Sequence, residues 1–187
     1  GAMVGASYDF GSGFTAAFGY AGDEDGLLTD ENLDAYGFNG AYTGDNYGIS
    51  ITYGTVDTSN AHEDTFTAFN GYYTPDAAGF PSISLGYEVG EDDSVTGTDD
   101  ALTSFFVGLS WDEVGPGSAG LAMGTKTPTV EGTDEAYMYE AYYSYPINDS
   151  ITITPLVFIK EYSGRTRYMN APIDDETGVL VKTSFSF

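Results

Sequence analysis

The chain has 187 residues, with 29 Asp and Glu against 5 Lys and Arg, no Cys, and aromatic side chains at 16%. So few cations under a formal charge of −24 cannot line a groove for phosphates, which excludes ordinary nucleic-acid binding; the missing Cys excludes disulfide and thiolate chemistry. An acidic chain this rich in aromatic and β-branched residues does not have the composition of a disordered one, and no run approaches ~18 apolar residues, so no transmembrane helix is predicted.

From the first residues onward the sequence alternates. GAM at residues 1–3 reads as a protease-cleavage scar from cloning, which leaves one domain over 4–187. Val4, Ala6, Tyr8 and Phe10 share one side of an extended strand, and Gly-Ser-Gly turns the chain into Phe14, Ala16, Phe18 and Tyr20. After an acidic stretch come Tyr36, Phe38 and Tyr42, the turn TGDN, then Ile49, Ile51 and Tyr53. The segment 65–73 is ambiguous in phase, and a bulge is expected there. Ile83, Leu85, Tyr87 and Val89 resume the pattern, followed by Phe105, Val107, Leu109 and Trp111, then Leu121 and Met123. Tyr137, Tyr139, Ala141, Tyr143 and Tyr145 form the most aromatic stripe. Ile151, Ile153, Val157 and Ile159 precede a closing strand in which Val179, Val181, Phe185 and the terminal Phe187 alternate with Leu180, Lys182 and Ser184. That makes about eleven strands and no helix.

Short links such as GSG, TGDN, TPDAAG, EVGPGS and PINDS alternate with longer ones that carry most of the charge. In an up-and-down sheet, alternate links lie at opposite ends. All the short turns are therefore expected at one end and the long acidic loops at the other. The faces opposite the apolar stripes read Ser, Thr, Gly and scattered charges, which suits a wetted interior better than a packed core. Aromatics near strand ends and the loop asymmetry fit an outer-membrane barrel, whose strands must close because lipid leaves no partner for a free edge. A soluble secreted β-protein with the apolar stripes turned inward is the competing fold.

Within that frame Phe105, Val107, Leu109, Trp111, Tyr139, Ile153, Phe185 and Phe187 are expected to face lipid. Asp9, Glu88, Glu140, Lys160 and Lys182 fall on the other face as candidate pore-lining charges, with Arg165 and Arg167 in the last long loop folding inward or pairing with neighbouring acids. Asp23, Glu24, Asp25, Asp92, Asp93, Asp99 and Asp100 make an acidic mouth, which raises local cation concentration without a tight site. Their spacing does not match a twelve-residue calcium loop, and neither a metal nor a cofactor is expected. Pro155 removes a ladder donor from an interior strand and is expected to mark a bulge or kink. His62, the lone histidine, sits in the acidic stretch TSNAHEDT. Without a second base or a nucleophile elbow it does not make a catalytic triad. A barrel-form hydrolase is the enzyme alternative.

The segment SYPINDSITITPLVFI and the closing DDETGVLVKTSFSF resemble the C-terminal end of cyanobacterial outer-membrane porins, the carbohydrate-selective or iron-uptake porin group. The matching residues are Asn148, Asp149, Ile151, Ile153, Thr154 and Pro155, with the final Phe187; Lys182 stands where that closing strand often has Gly. The resemblance implies an antiparallel barrel of about 16 strands, preceded in the family by a surface-layer-homology domain and a coiled coil that this sequence does not contain. It also implies the outer membrane of a Gram-negative-type, cyanobacterial cell and a last strand read by the barrel assembly machinery. The partners it implies are lipid, small solutes or ions, and further copies in a homotrimer. The expected function is passive diffusion of small hydrophilic solutes with inorganic cations favoured. A structural outer-membrane barrel with a filled lumen is the alternative.

Overall fold

A computed structural model describes residues 2–22, 34–59, 62–91, 101–125, 129–130, 135–161 and 175–186. Among them there is no helix. Twelve strands form in chain order: β1 (Ala2–Gly11), β2 (Phe14–Gly22), β3 (Asp34–Thr43), β4 (Tyr47–Ser59), β5 (His62–Tyr73), β6 (Ser82–Glu91), β7 (Ala101–Val114), β8 (Gly117–Thr125), β9 (Thr129–Val130), β10 (Tyr137–Asn148), β11 (Ile151–Lys160) and β12 (Glu176–Phe185). Eleven of them follow one another in a single up-and-down sheet, and the short β9 pairs β7 beside the path. Ala2 and Met3, read from sequence as a scar, lie within β1. Contacts divide the chain into two compact units, one of Gly1–Tyr72, Gly86–Ser104 and Val130–Thr133, the other of Tyr73–Leu85, Phe105–Thr129 and Asp134–Phe187.

Local chemistry sets these strands. The alternating β-branched and aromatic residues suit a pleated surface, and the tight links use residues that tolerate left-handed backbone. Gly11, Ser12 and Gly13 all have positive φ, at 76°, 54° and 87°. The Gly11 amide donates to Asp9 Oδ1 at 2.8 Å, closing that turn from the side chain.

Register across β1 to β4 of the first unit places their paired residues on two faces. Val4, Tyr20, Tyr36 and Thr55 form one row; Ala6, Phe18, Phe38 and Tyr53 form the next; Tyr8, Ala16, Gly40 and Ile51 form a third. Rings pair along this face, Phe18 with Phe38 at 4.9 Å between centroids and Phe14 with Tyr42 at 4.7 Å beside the turns. In the second unit the corresponding rows are Val107, Met123, Tyr139, Ile159 and Thr177, and then Leu109, Leu121, Ala141, Val157 and Val179. Phe105, Tyr137 and Tyr139 cluster where these strands meet the long links, with centroids 5.9 and 6.5 Å apart.

This apolar face is uncovered. Among the described residues the only buried large apolar side chain is Tyr20, at 6% exposure, and the only buried polar one is Thr55. Val4, Phe38, Leu121 and Val179 stand 59%, 51%, 50% and 72% exposed. A soluble domain gathers such residues into a core; here they form the surface.

Three expectations change on the structure. The stretch around His62 is not a long loop: β4 runs to Ser59 and β5 begins at His62. Polar residues on both faces made this part of the hairpin look like loop. Pro155 marks no bulge, because it pairs in register with Val181. The register shift on β10 and β11 falls instead between Pro146 and Asn148, next to the turn. The phase of 65–73 is fixed by ring contacts: Phe66 and Tyr72 lie against Gly54 and Gly48 and therefore on the face opposite the apolar stripe.

Candidate functional site

The face opposite the exposed apolar rows is the candidate site. In the first unit its rows run Asp9, Thr15, Ala41, Ser50; then Ser7, Ala17, Asn39, Thr52; then Gly5, Gly19, Gly37, Gly54. Four glycines thus sit side by side across four strands, the backbone bare at Gly5, Gly19 and Gly37 and covered by the Phe66 ring at Gly54. Beside them Asn39 Nδ2 donates to Thr52 Oγ1 at 2.8 Å, which holds the amide against the wall.

In the second unit the rows run Phe106, Gly124, Met138, Lys160, Glu176; then Gly108, Ala122, Glu140, Phe158, Gly178; then Gly120, Tyr142, Leu156, Leu180; then Ser118, Ser144, and Thr154 with Lys182. The charged level lies nearest the long links. An apolar level follows, and a hydroxylic level lies nearest the short turns. In that last level the Ser144 and Thr154 hydroxyls are hydrogen-bonded at 3.0 Å.

The sequence-predicted charges are distributed as follows. Lys160 Nζ approaches Glu176 Oε2 at 3.9 Å and lies 4.7 Å from the centre of the Phe158 ring. Glu140 is directly opposite Phe158 on the same face. Its carboxylate has no hydrogen-bond or ion-pair partner among the described residues, and neither has the Lys182 ammonium. Asp9 and Glu88 belong to the first unit; Asp9 already serves the Gly11 turn. Of the residues expected to face lipid, Phe105, Val107, Leu109, Trp111, Tyr139, Ile153 and Phe185 all alternate onto the exposed apolar face. Arg165, Arg167, Phe187 and the acidic-mouth residues Asp23, Glu24, Asp25, Asp92, Asp93, Asp99 and Asp100 lie outside the described residues. Nor do His, Asp and Glu gather into a metal-holding group among those described.

Sequence reasoning missed the rings on this face. Phe66, Tyr72, Phe106, Tyr142 and Phe158 interrupt what reads as a small, hydroxylic surface. Each lies on a glycine: Phe66 on Gly54, Tyr72 on Gly48, Phe106 on Gly108, Tyr142 on Gly120 and Phe158 on Gly178. A Cβ at Gly108 would come within 2.9 Å of the Phe106 ring. The glycines let the rings lie along the wall rather than stand away from it. For Tyr142 and Phe158 the signal is a glycine in cross-strand register with the ring, visible only once the pairing is known; Phe106 and Gly108 are two residues apart on β7 and could be read from the sequence.

The sequence matches no protein-family model and no curated protein. Among solved structures, the chain is similar to an anion-selective porin from Comamonas acidovorans, with a TM-score of 0.74 and 18% identity over 99% of this chain. It spans 59% of that porin's length. The fold is therefore that of a porin: antiparallel, up-and-down and all-β.

Proposed function

We propose that this chain forms wall of an outer-membrane channel for passive diffusion of small hydrophilic solutes, with its apolar face against lipid and the glycine- and serine-rich face lining a water path. The observation that carries the reading is the exposed apolar face, with no apolar core behind it among the described residues, on a sheet of porin fold. Strand lengths agree. A ten-residue strand such as β11 rises about 3.3 Å per residue and, tilted by about 40°, spans roughly the 25 Å apolar band of such barrels. The site belongs to the outer membrane of a Gram-negative-type cell, and the cyanobacterial resemblance of 144–187 supports that source.

Inorganic cations are favoured in this reading. The formal charge of −24 attracts cations and repels anions at either mouth. The Comamonas porin is named for the opposite selectivity; selectivity follows the charges of each wall and not the shared fold. Lipid is the main partner, the β12 end with Phe185 suits the assembly machinery, and a homotrimer is the proposed assembly. No catalysis is proposed.

A second reading has one observation behind it. The rings and the Leu156 and Leu180 side chains on the candidate lining favour a structural barrel whose interior is filled. Reconstitution in a planar bilayer separates the two. A steady current whose reversal potential follows the cation gradient is the expected result, and that preference should weaken as salt screens the wall. Silence, or an anion-following potential, overturns the channel or its selectivity.

A further inference from the structure

The second unit holds a groove of about 430 Å³ on the candidate lining face, bordered there by Ser84, Phe106, Ser110, Ala122, Glu140 and Tyr142. Its size falls within the range of small-molecule sites, roughly 300–1,000 Å³, and its make-up is apolar with few polar groups. Among the described lining residues Glu140 supplies the one carboxylate. Its cross-strand neighbour on β8 is Ala122, so the floor beneath it is small. Phe106 and Tyr142 stand in the rows on either side, each fixed by the glycine it lies on.

Among the described residues, the cation closest in register on this face does not pair with Glu140. Lys160, diagonal to it across β10 and β11, is held by Glu176 and by the Phe158 ring. A carboxylate with no partner among the described residues, in a groove that two aromatic rings also line, suits an organic ammonium: the charge meets the carboxylate, while apolar carbon and the cation's flank meet the rings. The Lys160–Phe158 contact shows that this wall already holds an ammonium over a ring. An anion would face Glu140 unscreened. An uncharged solute would leave the carboxylate to water.

We propose that the Glu140 groove binds small organic ammonium ions with an apolar or aromatic body, a solute class that the channel would concentrate and pass. This deepens the channel reading and rests on it for transport, though binding is measurable without conduction.

The test uses the full chain refolded in detergent, titrated calorimetrically with phenethylammonium, with the neutral 2-phenylethanol and with 3-phenylpropionate. The ammonium should bind about tenfold tighter than the alcohol, a difference of ~1.4 kcal/mol, and the carboxylate should show no binding. E140Q should erase the ammonium's advantage, whereas E140D, which keeps the charge, should retain most of it. Equal binding of ammonium and alcohol by the native chain overturns the proposal whatever the variants do, as does an E140Q affinity equal to the native one. The same protein in a bilayer keeps the two readings apart. Conduction of potassium chloride without Glu140-dependent binding sinks the groove and leaves the channel. Glu140-dependent binding in a silent bilayer supports the groove and sinks the channel.

Discussion

The Phe158 ring occupies the space that a side chain at Gly178 would need, and the two residues are cross-strand partners on β11 and β12. Lys160 then rests on the outer surface of that ring while reaching Glu176. One missing side chain thus sets the position of an aromatic, and the aromatic sets the position of a charge.

Gly178→Val should therefore displace Phe158 and loosen Lys160. Overpacking of this kind costs about 1–3 kcal/mol. Urea unfolding of the refolded protein, followed by the fluorescence of Trp111, measures it. A variant as stable as the native chain would mean that the ring moves aside freely.

Leu121→Arg places a charge in the middle of the exposed apolar face, where lipid is proposed to lie. The expected loss is about 2–4 kcal/mol for a site near the bilayer midplane. Ala122→Arg, one residue along and on the other face, should cost much less in the same vesicle-folding assay. Equal losses at the two positions would remove the distinction between a lipid face and a wet one.

Lys160→Met deletes a cation from the candidate lining and leaves Glu176 without its 3.9 Å partner. The wall gains net negative charge, so the reversal potential in a salt gradient should move further toward the cation value. An unchanged potential would place Lys160 away from the ion path.

Ser144 and Thr154 share a hydrogen bond across β10 and β11. A cycle of Ser144→Ala and Thr154→Val should return a coupling of about 0.2–1 kcal/mol, the usual worth of a cross-strand pair. Additive losses would mean that both hydroxyls are satisfied by water instead.

Much of this was legible from residue order. The stripe Val107, Leu109, Trp111 could be assigned to one face because alternation alone decides which residues share it. The porin-like fold followed from eleven such stripes and their links. The other face was harder. Tyr142 and Phe158 look like defects in a polar stripe until Gly120 and Gly178 are brought beside them, and only strand register does that. His62 misled for a different reason: with Glu63, Asp64 and Thr65 it lacks any apolar alternation, and a strand without a buried face leaves no period to read. Pro155 misled as to a bulge: it pairs in register with Val181, and its missing N–H coincides instead with an interruption of the ladder to β10, between Tyr142–Leu156 and Tyr145–Ile153.

The row Gly5, Gly19, Gly37, Gly54 has a mechanical consequence. Resistance of a sheet to bending about a line that runs across its strands comes partly from side chains crowding on the concave side. At Gly5, Gly19 and Gly37 no side chain stands near the backbone, while at Gly54 the Phe66 ring lies over it, and glycine backbone adds its own freedom. The row is a crease: the level at which this part of the wall flexes most cheaply, and at which any added methyl group stiffens it.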